Sequence, residues 1–129
     1  MAPPLTKILY VEDDADIRTI AKLSLEAVGG FTVQVANSGA EALDIAPAFM
    51  PDLILLDVMM PGMDGPTTMQ ALRKLPEFEQ TPIVFMTAKV MQSEIARYKE
   101  IGALDVIHKP FDPMTLSDRV KDIWRGHHG

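Results

Sequence analysis

A chain of 129 residues, 47% of them apolar, has the size and composition of a single folded domain with a real core, and its formal net charge of −6 repels nucleic acid and anionic membranes while remaining compatible with a bound cation. The absence of Cys excludes disulfides, thiolate catalysis and cysteine metal sites. No apolar run approaches the ~20 residues of a membrane span and the first seven residues carry no secretory pattern, so a soluble, cytoplasmic protein is expected.

Residues 8–11, Ile-Leu-Tyr-Val, form a short run of strand formers that stops at three acids, Glu12, Asp13 and Asp14. From residue 15 to 28 apolar residues recur at helical spacing, with Ile17, Ile20, Ala21, Leu23 or Ser24 and Val28 on one face, and Gly29-Gly30 supplies a stop. Residues 31–36 alternate with period two, as an edge strand with one wetter face does. Ser38 and Glu41 then make a capping box for a second helix, which Pro47 is expected to interrupt.

Residues 53–56, four large apolar side chains after Pro51-Asp52, read as a strand buried on both faces. Asp57 stands at its carboxyl end, on a loop that Pro61, Gly62 and Gly65 force to turn. Residues 66–75 are expected to be the third helix, buried through Met69, Leu72 and Leu75 and ended by Pro76. Residues 83–86 repeat the doubly buried strand pattern and hand over to Thr87-Ala88-Lys89. Residues 91–101 read as a helix with a thin stripe of Met91, Ile95, Tyr98 and Ile101, and residues 106–108 as the last strand, leading into Lys109-Pro110-Phe111. Asp112, with Pro113 in the first turn, is expected to cap a final helix lined by Leu116, Val120, Ile123 and Trp124. Residues 126–129 read as a tail. No linker, repeat or second domain interrupts the pattern, so one domain over 1–129 is expected, with its core at about 7–124 and short disordered ends.

Five strands alternating with five helices call for an α/β fold with a parallel sheet covered on both faces. The common five-strand order 2-1-3-4-5 sets strands one and three side by side at the switch point, where such sheets place their ligands. Four strand ends then deliver chemistry to one crevice: Glu12 with Asp13, Asp57, Thr87 and Lys109. Three clustered carboxylates need compensation, which a divalent cation and the Lys109 ammonium supply. Oxygen-only donors favour Mg²⁺ over Ca²⁺, and a phosphoryl group suits such a site. Asp57 is the candidate nucleophile, since carboxylates form aspartyl phosphates, with Lys109 and the Thr87 hydroxyl stabilising the transferring group.

These residues resemble the receiver domains of bacterial two-component response regulators over about residues 7–124, with four separate strand ends matching in order. The resemblance implies a flavodoxin-like (βα)5 fold and a Mg²⁺ site in which Asp13 is a direct ligand, Glu12 acts largely through water, and Asp57 and the Met59 backbone carbonyl complete the protein's share. It implies that Asp57 is the phosphoacceptor, Thr87 the switch hydroxyl and Lys109 the phosphate-binding lysine, with a cis Lys109-Pro110 bond. The donor implied is a sensor histidine kinase or a histidine phosphotransfer protein. The reader is a downstream protein on the surface of the fourth helix, fifth strand and fifth helix, with the domain a monomer or a phosphorylation-dependent dimer. Neither direct nucleic-acid contact nor a membrane partner is expected. Two places depart or discriminate within the family: Val106 stands where an aromatic residue is common, and bulky Met59, with Lys89, lines the mouth of the site, where Met59 is expected to hinder the hydrolytic water.

The competing functions are an aspartate-nucleophile phosphatase of the haloacid-dehalogenase type, whose Asp-x-Asp second acid is replaced here by Met59, and a flavodoxin-like binding module, whose phosphate loop is replaced by acids. Asp14 is expected to cap the first helix and Asp64 to stabilise its turn. His108 reads as a partly exposed strand residue, the nine Met residues as core filling, and Lys89, Arg97 and Lys99 as helix-surface charges.

Overall fold

The computed structural model describes residues 3–128. Five short strands form where the sequence is richest in large apolar and β-branched residues: β1 Lys7–Val11, β2 Thr32–Ala36, β3 Leu53–Asp57, β4 Ile83–Thr87 and β5 Asp105–His108. Their pairings are all parallel and their order is β2-β1-β3-β4-β5, the arrangement the alternating pattern called for. Every residue of β3 and β4 is buried, whereas the edge strand β2 keeps a wetter face.

Alternation along the strands sends side chains to two cores. On one face Leu9, Val11, Ile54, Leu56 and Phe85 pack under α2 (Gly39–Phe49), α3 (Gly65–Arg73) and α4 (Gln92–Glu100). On the other, Ile8, Tyr10, Leu55, Val84 and Met86 pack under α1 (Ala15–Ala27) and α5 (Leu116–His128). No helix among the described residues is long and apolar enough to cross a membrane.

Several element details differ from the sequence expectation. The buried face of α1 is Ala21, Ser24 and Leu25, while Ile20, Leu23 and Val28 are exposed. Ser24 is admitted to the core because its hydroxyl donates to the Pro113 carbonyl at the start of the α5 approach. Pro47 does not interrupt α2, which runs on to Phe49 and closes at Met50 in the left-handed conformation, φ 52°. Proline there forgoes a single N–H bond, to the carbonyl four residues back, and the helix runs only two residues further. The third helix stops at Arg73, two residues early, and Pro76 opens a separate 3-10 turn that buries Phe78.

The thin stripe of α4 is thinner than expected: Tyr98 alone is fully covered, stacked edge-on against Phe85 with ring centroids 5.1 Å apart, and Met91 and Ile101 are exposed. Lys89 lies on the β4–α4 loop rather than on a helix. Asp112 caps the entry to α5, its side chain accepting from the Met114 N–H at 2.8 Å and its carbonyl from the Leu116 N–H at 3.0 Å, but the regular helix begins only at Leu116. The residues read as a tail continue α5 through His128, whose Nδ1 lies 3.0 Å from the Trp124 carbonyl, while Gly129 and Met1-Ala2 lie outside the described residues.

Candidate functional site

Parallel register determines which strand ends become neighbours. Val11 pairs with Leu56, Asp57 with Met86 and Thr87 with His108, so residues 12, 57, 87 and 109 line one edge of the sheet. The Glu12 N–H donates to the Ala36 carbonyl at 3.0 Å, which carries the β1–β2 ladder one step into the acidic turn. The Lys109 N–H donates to the Thr87 carbonyl at 2.9 Å and does the same for β4 and β5, and the Lys109-Pro110 bond is cis.

The side chains that meet are the acids and the lysine. Carboxylate oxygens of Glu12, Asp13 and Asp57 lie within 4.8 Å of one another. Lys109 Nζ donates to Glu12 Oε1 at 2.7 Å and stands 3.2 Å from Asp57 Oδ1. Glu12 is 1% and Asp57 3% exposed, while Asp13 opens to solvent. Thr87 is buried one residue beyond the Asp57–Met86 pair, and its Oγ1 accepts from the Lys89 N–H at 3.1 Å rather than bonding a carboxylate. Met59 is 66% exposed on the loop after Asp57, and His108 is exposed on β5.

The loops that carry these groups are held at both ends. Asp14 caps α1 by accepting from the Ile17 N–H, and Asp64 caps α3 by accepting from the Thr67 N–H. The Val58 N–H reaches the Met86 carbonyl at 3.0 Å and the Gly65 N–H returns to the Val58 carbonyl at 2.9 Å. A Cβ on Gly65 would stand 2.8 Å from both the Asp57 carbonyl oxygen and Val58 Cα, so the start of α3 packs against the backbone of Asp57 in a way only glycine permits.

Sequence reasoning missed three features of this site. Gly65 reads from the sequence only as a turn residue, although its place directly after the Asp64 cap is a signal for close packing. Arg18, on the first turn and a half of α1, sends Nη1 to the Glu12 carbonyl at 2.8 Å and the Asp13 carbonyl at 2.9 Å. The Tyr10 hydroxyl, two residues before Glu12, is buried without a protein partner.

Charge in the crevice is unbalanced. Burial, reinforced by Asp57, pushes the Glu12 carboxyl above its ordinary range despite the Lys109 hydrogen bond. Burial and neighbouring Glu12 raise Asp13 as well. Desolvation pulls Lys109 down, but Glu12 and Asp57 outweigh it and hold the ammonium above its ordinary value. Three carboxylates against one ammonium leave room for a hard divalent cation, and the donors are all oxygen, as Mg²⁺ requires.

This sets the sign of a pH effect. An acid whose pKa is raised by folding contributes stability that is complete below its ordinary value, 4.5 for Glu12, and lost as pH rises through the raised value. A cation bound to the ionised acids offsets that loss. Mg²⁺ at a hundred times its Kd is therefore expected to stabilise the domain by about 2.7 kcal/mol at pH 8, with the increment shrinking towards pH 5 as Glu12 and Asp13 take up protons. Thermal melts with and without Mg²⁺ at the two pH values check this, and equal increments at both would contradict it.

The fold and this crevice define a doubly wound α/β protein whose switch point carries an acid–lysine site suited to a cation and a phosphoryl group. The chain belongs to the response regulator receiver domain family, whose model it matches over residues 8–121, and it is thus a receiver domain of two-component signalling. It is 40% identical over 124 residues to the transcriptional regulatory protein CpxR of Escherichia coli strain K12, a match covering 96% of this chain and 51% of that protein. It is 39% identical over 121 residues to the phosphate regulon transcriptional regulatory protein PhoB of Rhizobium meliloti, covering 94% of this chain and 53% of that one. The chain spans about half the length of the curated relatives it matches. Among solved structures, the chemotaxis response regulator CheY4 of Vibrio cholerae superimposes with a TM-score of 0.85 at 32% identity, covering 93% of this chain and 99% of that one.

Proposed function

We propose that Asp57 is the phosphoacceptor of a phosphorelay. A carboxylate oxygen of Asp57 attacks the phosphorus of a phosphohistidine on a sensor histidine kinase or histidine phosphotransfer protein, the new O–P bond forms as the N–P bond breaks, and the imidazole leaves. The observation that carries this reading is the position of Lys109 Nζ between Glu12 and Asp57, where its charge faces a phosphoryl group on Asp57. In the same reading Asp13, Asp57 and the Met59 carbonyl hold Mg²⁺, with Glu12 acting through water. Once bound, the ion neutralises charge on the phosphoryl oxygens.

The remaining roles follow from chemistry at the same edge. The Thr87 hydroxyl uses its proton to hydrogen-bond the phosphoryl group and so passes its presence to the β4–α4 loop. With the aliphatic, buried Val106 in place of an aromatic residue, only the Thr87 half of that relay operates. A downstream protein reads the surface of α4, β5 and α5, the domain acting as a monomer or as a dimer formed on phosphorylation. The chain works in the cytoplasm, residues 7–124 forming the receiver core, without touching nucleic acid or membrane itself. It accepts and loses the phosphoryl group rather than turning over a substrate, because Met59, in the place where an aspartate phosphatase carries its general acid, has no proton to give.

Incubation with acetyl phosphate and Mg²⁺ followed by intact mass measurement tests the reading. One phosphoryl adduct per chain is expected. Steady release of phosphate without an adduct would favour the phosphatase and overturn the proposal. Met59→Asn is expected to shorten the adduct's lifetime severalfold, because a bulky apolar side chain at the mouth of the crevice is replaced by one that can hydrogen-bond the attacking water. An unchanged decay rate would remove Met59 from the account.

A further inference from the structure

The turn that carries Glu12 and Asp13 takes the chain from the end of β1 to the start of α1 within three residues. Its carboxylates face Asp57 only while those peptides keep one orientation. One end is pinned by the Glu12 N–H on the Ala36 carbonyl at 3.0 Å, and the other by Asp14, which accepts from the Ile17 N–H at 3.0 Å. The carbonyls of Glu12 and Asp13 lie between these pins, and both accept from the same guanidinium nitrogen, Arg18 Nη1, at 2.8 and 2.9 Å. Hydrogen bonds from a charged donor to two successive carbonyls are strong enough to settle how those peptides turn.

We propose that Arg18 is a positioning residue for the cation of the acidic crevice: by holding the Glu12 and Asp13 carbonyls on the α1 side, it aims their carboxylates at the ion shared with Asp57. This rests on reading the crevice as a Mg²⁺ site. Arg18 reaches the turn through its backbone carbonyls rather than its carboxylates, so its influence on where they aim runs through the backbone. Arginine suits the task because its charge and donor geometry are permanent.

Two physical effects of removing Arg18 have opposite signs. By Coulomb's law alone, losing a cation near an acidic crevice makes the crevice more negative and tightens Mg²⁺ binding. Losing the aim of the carboxylates weakens it, as loss of a partner that orients metal ligands does, by about tenfold or more. The proposal predicts the second.

Calorimetric titration of the full chain with MgCl₂ decides between them. Arg18→Ala is expected to raise the Mg²⁺ Kd about tenfold. Arg18→Lys, whose ammonium can still donate to both carbonyls, should remain within about threefold of the parent chain. Lys22→Ala removes a positive charge from the same helix, where it pairs with Glu26 at 2.9 Å, and should leave Kd unchanged or slightly lower. In the metal-free protein, amide exchange at Asp13 and Asp14 should quicken in Arg18→Ala and not in Lys22→Ala. An Arg18→Ala Kd equal to or tighter than the parent's overturns the proposal, as does an equal weakening by Lys22→Ala. Should Arg18→Ala not fold, Arg18→Gln takes its place, with an intermediate Kd expected and an unchanged one counting against. Failure of the parent chain to bind Mg²⁺ overturns the cation-site reading itself and this inference with it, an outcome distinct from a parent that binds and a variant that binds equally well.

Discussion

Asp57→Asn is expected to give no phosphoryl adduct with acetyl phosphate and Mg²⁺, lowering labelling at least about a hundredfold, while leaving the fold intact. The substitution preserves size and shape at a position only 3% exposed, so the packing of β3 against β1 and β4 is undisturbed. What changes is the reacting atom: a carboxamide oxygen is a poor nucleophile towards phosphorus and cannot give a stable acyl phosphate. Lys109 keeps its 2.7 Å bond to Glu12, and removal of one negative charge relieves Glu12, whose carboxyl Asp57 helps to raise. The melting temperature without Mg²⁺ should accordingly hold or rise. Intact mass and a thermal melt on the same sample check both halves. An adduct appearing at an undiminished rate would move the phosphoacceptor to another residue.

Lys109→Met should carry the largest stability change of any single substitution at the site. Methionine replaces the aliphatic stem at nearly equal volume but removes the ammonium that bridges Glu12 and Asp57. Breaking a buried ion pair by deleting one partner costs about 3–5 kcal/mol, and the low end applies here because Lys109 keeps 19% of its side-chain surface in water. In a domain of this length about 3 kcal/mol corresponds to a drop on the order of 10 °C in Tm.

The pH dependence identifies the cause. Glu12, already raised by burial and Asp57, rises further without Lys109. The destabilisation is then full above the raised value and fades as pH falls towards Glu12's ordinary 4.5, where the unpaired charge is titrated away. The Tm difference from the parent chain is therefore large at pH 8 and small at pH 5. Phosphorylation at saturating Mg²⁺ should fall by about 10²–10³, the usual effect of removing one preorganised charge from a transition state. A loss of stability independent of pH would show that the stem, not the charge, matters at this position.

The candidate site was legible because each chemical group directly follows a run of residues that could only be a strand. Leu53 to Leu56 and Ile83 to Met86 are too apolar for an exposed element and too short for a buried helix, so Asp57 and Thr87 had to stand at strand ends. Asp14 and Asp64 were legible as local helix-start and turn signals, since a capping residue acts on a backbone N–H three residues away. The errors fell where local rules meet distant partners. Pro47 reads as a breaker, yet α2 runs on through it to Phe49, losing a single backbone bond. Leu23 fits an apolar stripe as well as Ser24 does, but Ser24 faces α5 and finds the Pro113 carbonyl there. Asp112 caps as its residues suggest, but a turn over 113–115 precedes the regular helix, which begins only at Leu116.

Taken alone, the amino-acid order determined which segments are strands and helices, that β3 and β4 would be buried on both faces, and which side chains with chemical capacity stand at the strand ends. Those properties depend on neighbours within a turn or two of the chain. Only the tertiary structure decided that Lys109 meets Glu12, 97 residues away, that Gly65 lies against the backbone of Asp57, and that Arg18 holds the carbonyls of the acidic turn. Such contacts are set by parallel register and by the seating of α1 and α3 on the sheet, and a displacement of about 3.3 Å, one residue of register, would break every one of them.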